Sequence, residues 1–172
     1  MPAGQINVPS YSRLAVSNVP LGSVAYASAG TNTTDVNGQL WVTDIWIPFC
    51  KTISTIGFLQ GGTATTDNFL VALYDATGAK LGNSNTSGVV LSGANTFQEQ
   101  TLLTAVQVYG PQQYFIAIQG NGTAAGAIQT IPASTFVDVL AGGIAGTFGT
   151  VPATITLPTT FTAGKGPFVY VK

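Results

Sequence analysis

Residues 69–78 read Phe-Leu-Val-Ala-Leu-Tyr-Asp-Ala-Thr-Gly, and this stretch gives the clearest indication of the fold. The side chain of Asp75 can open a type I turn, and Gly78 can take the left-handed position that closes it. We therefore predict a hairpin in which the strand at 69–74 returns into residues 79–83. The first strand is apolar on both faces, which is typical of a central strand covered on both sides. The second cover is then either a sheet of this chain or a neighbouring subunit.

The rest of the chain continues the pattern of short strands and turns. Its 21 glycines and 9 prolines are spread over the whole length, and no long window has the apolar spacing of an amphipathic helix. Segments rich in β-branched and aromatic residues predict further strands at 23–28, 40–47, 52–59, 88–91, 96–103, 105–109, 113–119, 136–140, 153–157 and 167–171. The fold class that follows is all-β, an antiparallel β-sandwich or barrel.

Two local patterns add detail to this fold. Asn37 and Gly38 form the dipeptide that a two-residue type I′ turn requires, which predicts a second hairpin between 33–36 and 39–42. In the strand at 40–47, alternation places Trp41, Thr43, Ile45 and Ile47 on one face and Val42, Asp44 and Trp46 on the other. One of the two tryptophans is therefore expected to lie outside the core.

The ends of the chain differ from its middle. Residues 1–20 contain Pro2, Pro9 and Pro20 among scattered apolar residues, which predicts an extended amino-terminal arm that becomes ordered against another surface. Residues 21–172 are predicted to form a single β-sandwich domain. Within it, residues 120–149 are rich in glycine and alanine and predict a long loop and edge region.

Charged residues are scarce in this sequence. The 172 residues include 5 basic and 6 acidic side chains, or 6%, against about 25% in a typical soluble domain. The net charge of -1 leaves no basic surface for nucleic acid or for an anionic membrane. The first ten residues lack the pattern of a signal peptide, and the apolar runs are far shorter than the ~20 residues that span a bilayer. We expect neither a nucleic-acid nor a membrane partner.

Residues suited to catalysis are equally scarce. Histidine, the commonest general base and metal ligand, is absent. The single Cys50 cannot form an intramolecular disulfide, and we expect a packed apolar thiol, with an intermolecular bridge as the alternative. The available acids are Asp35, Asp44, Asp67, Asp75, Glu99 and Asp138.

No spacing among these acids favours a site. A carboxylate pair could serve a glycosidase, and Asp67 with Asn68 and backbone carbonyls could hold calcium. Both interpretations are weaker than local roles in turns, because Asp35 precedes a turn and Asp75 opens one. We predict no catalytic residue, no cofactor and no metal, and we do not expect an enzyme.

Exposed aromatic rings offer a different chemistry, because they can stack on the apolar face of a sugar while amides and carboxylates bind its hydroxyls. The candidate platforms are Trp41, Trp46, Tyr109 and Tyr114. The competing interpretation, which we favour, is that these rings fill the core of a sandwich or an interface between subunits, where aromatic residues are enriched.

Three blocks of sequence carry a family resemblance. Residues 53–63 read Ile-Ser-Thr-Ile-Gly-Phe-Leu-Gln-Gly-Gly-Thr, residues 67–78 place Asp-Asn before the hairpin, and residues 113–122 read Gln-Tyr-Phe-Ile-Ala-Ile-Gln-Gly-Asn-Gly. Over residues 40–130 the chain resembles the jelly-roll domains of tailed-bacteriophage virion proteins, which include capsid decoration (cement) proteins and some tail or fibre modules. The resemblance implies a jelly-roll-like β-sandwich that trimerises and locks capsid subunits together. It transfers no active-site residue.

We therefore expect a non-enzymatic virion structural protein, a capsid decoration protein on the outer surface of a phage head, assembled in the host cytoplasm. The expected partners are the major capsid protein and further copies of this chain in a homotrimer. The arm residues predicted to lie at the capsid or subunit interface are Ile6, Val8, Tyr11 and Arg13. The alternative is a tail, fibre or receptor-binding module that recognises host glycans through an exposed aromatic, for which Trp46 is the candidate.

Overall fold

A computed structural model describes residues 15–18, 30–63, 66–123, 126–132 and 139–172 of the chain. These ranges contain no helix, and hence none that could cross a membrane. They form the strands β1 (Val16–Ser17), β2 (Thr31–Thr34), β3 (Leu40–Ile47), β4 (Lys51–Leu59), β5 (Asn68–Tyr74), β6 (Lys80–Asn83), β7 (Val89–Val90), β8 (Phe97–Val108), β9 (Gln112–Gly120), β10 (Ala127–Thr130), β11 (Ala141–Ile144) and β12 (Val169–Val171).

The strands form two packed sheets and a ribbon, and every strand pair is antiparallel. The four-stranded sheet has the order β1-β12-β4-β8, and the six-stranded sheet has the order β11-β3-β9-β5-β6 with β7 also beside β5. The ribbon consists of β10 and β2. The predicted all-β antiparallel sandwich is confirmed. The finer jelly-roll assignment stays a prediction.

The main core lies between the two sheets. Strands β3, β5 and β9 of the six-stranded sheet alternate, so that every second side chain faces inward. These side chains pack against β4, β8 and β12, and the rings of Phe58 and Phe69 meet with centroids 5.7 Å apart. The largest fully buried members of this core are Trp41, Phe58, Phe69, Ile45, Ile47, Ile53 and Ile56.

The outer face of the six-stranded sheet is also apolar, and residues of the same chain cover it. Residues 145–158, here called the covering segment, form no strand and pack Val151, Ile155 and Leu157 against this face. The Tyr74 hydroxyl donates to Pro152 O at 3.0 Å, and Ile155 N donates to Gly78 O at 2.9 Å. The second cover expected for the central strands is therefore neither a sheet nor a neighbouring subunit.

Most predicted strands agree with the structure, and three predictions need correction. The strands predicted at 96–103 and 105–109 are one strand, β8, whose register against β4 is interrupted between Thr101 and Val106. Residues 153–157 are not a strand, because they belong to the covering segment. The region 120–149, predicted as a long loop and edge region, is not one long loop, since it contains β10 and β11; β11 does lie at the edge of the six-stranded sheet. The strand predicted at 23–28 and most of the one predicted at 136–140 lie outside the described residues.

The two predicted turns have different outcomes. The turn at 75–78 is confirmed: Asp75 Oδ1 accepts hydrogen bonds from Thr77 N at 2.8 Å and Ala79 N at 3.0 Å, Gly78 has φ +84°, and β5 pairs with β6. Residues 36–39 also form a turn, with Gln39 N donating to Val36 O, but the predicted hairpin around it is wrong. Gly38 has a positive φ but Asn37 does not, whereas a type I′ turn requires a positive φ at both residues.

The reason is that β2 pairs with β10 instead of β3. Asp35 N donates to Gly126 O and Gly38 N donates to Gly120 O, both at 2.9 Å. These bonds tie residues 35–38 to the segments beside β9 and β10. The turn therefore carries the chain from the ribbon into the six-stranded sheet.

Cys50 is exposed, so the expectation of a packed apolar thiol is wrong. It ends the short connection between β3 in one sheet and β4 in the other, where its Sγ lies 3.8 Å from Gly110 O. A connection that crosses from sheet to sheet runs over the surface, so its side chains are not enclosed by either layer.

Candidate functional site

The described basic side chains all bond within the chain. Lys51 is buried and its Nζ donates to Val171 O at 3.4 Å, and burial lowers its pKa. Lys80 Nζ donates to Val151 O at 3.2 Å, and Lys165 Nζ donates to Gln39 Oε1 at 2.6 Å. Lys172 forms an ion pair with Glu99 at 2.6 Å. Arg13 lies outside the described residues.

The described acidic side chains also bond within the chain. Besides Glu99, Asp44 accepts from Gln113 Nε2 at 2.8 Å and from Leu140 N at 3.1 Å. Burial raises the pKa of Asp44, whereas the Thr77 hydroxyl and the backbone amides of the turn hold the pKa of Asp75 below its usual range. Asp138 lies outside the described residues. The charged side chains that the structure describes thus hold the fold together.

Several large apolar side chains are exposed on this surface. Leu103 is 69% exposed and lies where β8 loses its register with β4, and Val89 and Val90 of β7 are exposed beside β5. Tyr109 is 66% exposed and Trp46 59% exposed. Trp46 lies beside the turn after β3, and Tyr109 lies in the turn after β8. These two turns are neighbours, because Gly110 packs against the backbone of Ile47 and Phe49.

The four aromatic platforms considered from the sequence divide into two pairs. Trp41 is 1% exposed, and its Nε1 donates to Gln39 Oε1 at 2.8 Å. Tyr114 is buried, and its hydroxyl bonds to the backbone N and O of Tyr109. These two rings therefore belong to the core, and Trp46 and Tyr109 remain as surface rings.

Trp46 lies beside polar groups on the outer face of the six-stranded sheet. It is directly opposite Gln113 in the ladder between β3 and β9, and Asp44 is on the same face. The Asp44 carboxylate already accepts two hydrogen bonds from within the chain. The exposed indole ring of Trp46 and the side-chain amide oxygen of Gln113 are the groups available to a ligand here.

The four interface candidates of the arm, Ile6, Val8, Tyr11 and Arg13, lie outside the described residues. The residues that follow them are anchored to the sandwich. Val16 packs against the main core and β1 pairs with β12. The Asn18 side chain donates to Pro167 O at 3.0 Å and accepts from Val169 N at 2.9 Å.

Two acids that the sequence reasoning kept apart lie together at one end of the sandwich. We call this place the loop junction: Asp35, Asp67 and residues 121–123. Asp35 Oδ2 accepts from Gly122 N at 2.9 Å, and Asp67 Oδ1 accepts from Thr123 N at 2.7 Å. Burial, with a contribution from the Asp67 carboxylate, raises the pKa of Asp35 to about 6.

Sequence reasoning missed this pair because the two acids come from different connections. The only signal was the shared character of those connections, which are short, contain glycine and lie at strand ends. Among the described residues, no group of three or more Cys, Asp or Glu side chains is placed to hold a metal ion. Asp75 and Glu99 have separate partners, so no larger acidic centre forms around them.

Comparisons with known proteins find no match for this chain among protein-family models, curated proteins or solved structures. The resemblance to phage virion proteins stays a prediction.

Proposed function

We propose that this protein is a non-enzymatic structural component of a phage particle, a capsid decoration protein of jelly-roll type that binds the outer surface of the head. The proposal rests mainly on the surface, because each charged side chain in the described ranges bonds within the chain. Soluble domains that stay monomeric usually keep free charges and few apolar patches. A subunit covered by its neighbours does not need that protection.

The exposed apolar residues support the same proposal. Leu103 lies on the irregular part of β8 and Val89 and Val90 lie on β7, whereas Trp46 and Tyr109 lie beside the connections after β3 and β8. Apolar residues at separate places fit a subunit that contacts both its own copies and the major capsid protein. In a homotrimer on a capsid, many weak contacts add up to firm binding.

Immunogold labelling of intact particles from the source culture tests the proposal. Antibody against this chain is expected to label the whole head. Gold restricted to the tail or fibre tips would replace the proposal with the receptor-binding alternative, and absence of label from particles would overturn the virion assignment.

The arm is tested by deleting residues 1–12, which precede the anchored strand β1. We expect the shortened protein to bind heads with lower occupancy, because Ile6, Val8 and Tyr11 would no longer reach the capsid or a neighbouring copy. A chain with Ile6, Val8 and Tyr11 changed to Ser is the matched control for length. Unchanged occupancy in both variants would show that the arm has no role in binding.

Glycan recognition by a tail or fibre module is the second candidate, and the exposure of Trp46 beside Gln113 favours it. An exposed indole is the group on which a sugar ring stacks. Binding to a glycan array that is lost in Trp46→Ala, and kept in the control Tyr109→Ala, would support this candidate. Absence of any glycan binding by the wild-type chain would exclude it.

A further inference from the structure

Three connections meet at the loop junction. Asp35 follows β2, Asp67 precedes β5, and residues 121–123 follow β9. Strands β5 and β9 are neighbours in the six-stranded sheet, and the bonds from Asp35 N to Gly126 O and from Gly38 N to Gly120 O bring the end of β2 to the same place. The junction therefore joins the ribbon to the sheet.

The two carboxylates of the junction are held by the same loop. They accept hydrogen bonds from consecutive backbone amides, Gly122 N for Asp35 and Thr123 N for Asp67. Consecutive residues are only about 3.8 Å apart along the chain. Gly120 allows the close approach, since a methyl group there would collide with the Asp35 carboxylate.

Both carboxylates are buried, and one oxygen of Asp35 has no donor. Asp35 is 7% exposed and Asp67 is 0% exposed. Asp35 Oδ1 is buried without a hydrogen-bond partner among the described residues. Among the described residues, the groups that act on this carboxylate are the amides of Gly122 and Val36 and the negative charge of Asp67, and none of these is a cation. A buried carboxylate in such surroundings is costly unless a proton or a cation neutralises it.

Two neutral side-chain oxygens also lie at the junction. Asn121 Oδ1 accepts from Asn68 N at 3.1 Å, and Thr123 Oγ1 donates to Asp67 Oδ1 at 2.6 Å. Carboxylates together with amide, hydroxyl and water oxygens are the ligands that Ca²⁺ takes, in flexible geometry and with six to eight oxygens. Mg²⁺ requires a near-ideal octahedron, which a junction of three separate connections is less suited to supply.

We propose that the loop junction binds one Ca²⁺ ion through Asp35 and Asp67, with Asn121 Oδ1 and water completing its shell. The calcium site considered from the sequence used Asp67 with Asn68 and backbone carbonyls, whereas this site uses Asp67 with Asp35. The bound ion joins β2, β5 and β9 at one end of the sandwich and thereby stabilises the fold. The proposal goes beyond the proposed function and does not depend on it, because particle labelling does not require the ion.

The test uses the full-length chain, stripped with a chelator and then titrated with CaCl₂. The melting temperature is followed by calorimetry, and binding is followed by isothermal titration. We expect one site per chain and a rise in melting temperature of about 5–10 °C at a hundredfold excess over the dissociation constant. The variants Asp35→Asn and Asp67→Asn should lose both effects. Asp75→Asn is the matched control, because it changes a carboxylate in the turn at the opposite end of β5, and it should keep both.

Three results would overturn the proposal. The first is a wild-type chain whose melting temperature is the same in chelator and in millimolar Ca²⁺ and which gives no binding heat. This measurement needs no variant, so it decides even if Asp35→Asn fails to fold. The second is a Ca²⁺-dependent rise that persists in Asp35→Asn. The third is an equal rise with Mg²⁺ in place of Ca²⁺, which would contradict the choice of ion.

Discussion

The two faces of the six-stranded sheet are both apolar, yet they are covered in different ways. The inner face packs against a second hydrogen-bonded sheet. The outer face packs against the covering segment, which is irregular and is attached by a few hydrogen bonds to Tyr74, Gly78, Lys80 and Gln119. The comparison shows that apolar residues on both faces of a strand predict two covers without predicting what the covers are.

The two faces also differ in the side chains that they carry. The inner face carries Phe69, Ile116 and Ile118, which interdigitate with the facing sheet. On the outer face, Ala117 lies between Val42 and Ala72 in the ladder, next to the larger side chains of Tyr74 and Phe115, and the covering segment packs over them. A cover without its own strand pairing relies on fewer bonds, so we expect it to open more easily than the inner core.

The largest effect is expected on the inner face. Phe69→Ala removes a fully buried ring that packs on Phe58 and should lower the free energy of unfolding by about 3–5 kcal/mol. Val89→Ala is the matched control, because Val89 pairs with Phe69 in the ladder but is exposed. Urea unfolding measures both. A loss below about 1 kcal/mol for Phe69→Ala would contradict the assignment of this face as the main core.

A smaller and more local effect is expected on the outer face. Ile155→Ala should lower the free energy of unfolding by about 2 kcal/mol, at the low end for such a change because an irregular segment can adjust. Hydrogen exchange should speed up in the covering segment and at Lys80, whose amide donates to Ala153 O, while β4 and β12 keep their protection. Equal acceleration in β12 would show that the two covers open together. Leu81→Ala is the control outside this contact.

The turn that holds the covering segment should show a pH dependence. Asp75→Ala removes the acceptor of the bonds from Thr77 and Ala79, and a loss of about 1 kcal/mol is expected at pH 7. The folded pKa of Asp75 lies below the unfolded value, so its contribution is present above the unfolded pKa of about 3.9 and is lost as pH falls through the folded pKa. Urea unfolding at neutral and strongly acidic pH should therefore show the two chains converging. A constant gap would contradict this.

The smallest effect on stability is expected where the outer face is left open. Trp46→Phe should change the free energy of unfolding by no more than about 0.5 kcal/mol, because the indole is exposed. The chain has two tryptophans, so fluorescence separates them. The variant should retain only the blue-shifted emission of buried Trp41 and resist quenching by iodide, whereas the wild type should be partly quenched. If iodide quenched both proteins equally, Trp46 would be shielded from solvent, and the prediction would be wrong.

Local chemistry explains which parts of the fold could be predicted. The bounds of β3 and the division of Trp41 from Trp46 follow from the two-residue period of a strand. The turn at 75–78 follows from an Asp that bonds to its own backbone and a Gly with positive φ. The dipeptide of Asn37 and Gly38 has similar local chemistry, but its partner strand was set by distant residues, and so the predicted hairpin was wrong.

The candidate sites could be predicted only in part. The exposure of Trp46 follows from the alternation of side chains within one strand. The pairing of Asp35 with Asp67 depends on β2, β5 and β9 ending at the same place, which no spacing in the sequence records. The interface candidates Ile6, Val8, Tyr11 and Arg13 stay predictions.

The sequence by itself determined the all-β class, the alternation of its central strands, the turn at 75–78 and the scarcity of charge, because each depends on neighbouring residues or on composition. Only the tertiary structure decided that an irregular segment of the same chain covers the outer face. It also decided that the described charged side chains bond within the chain, and that two acids 32 residues apart share one buried junction. These depend on contacts between distant parts of the chain, which form only when the sheets pack.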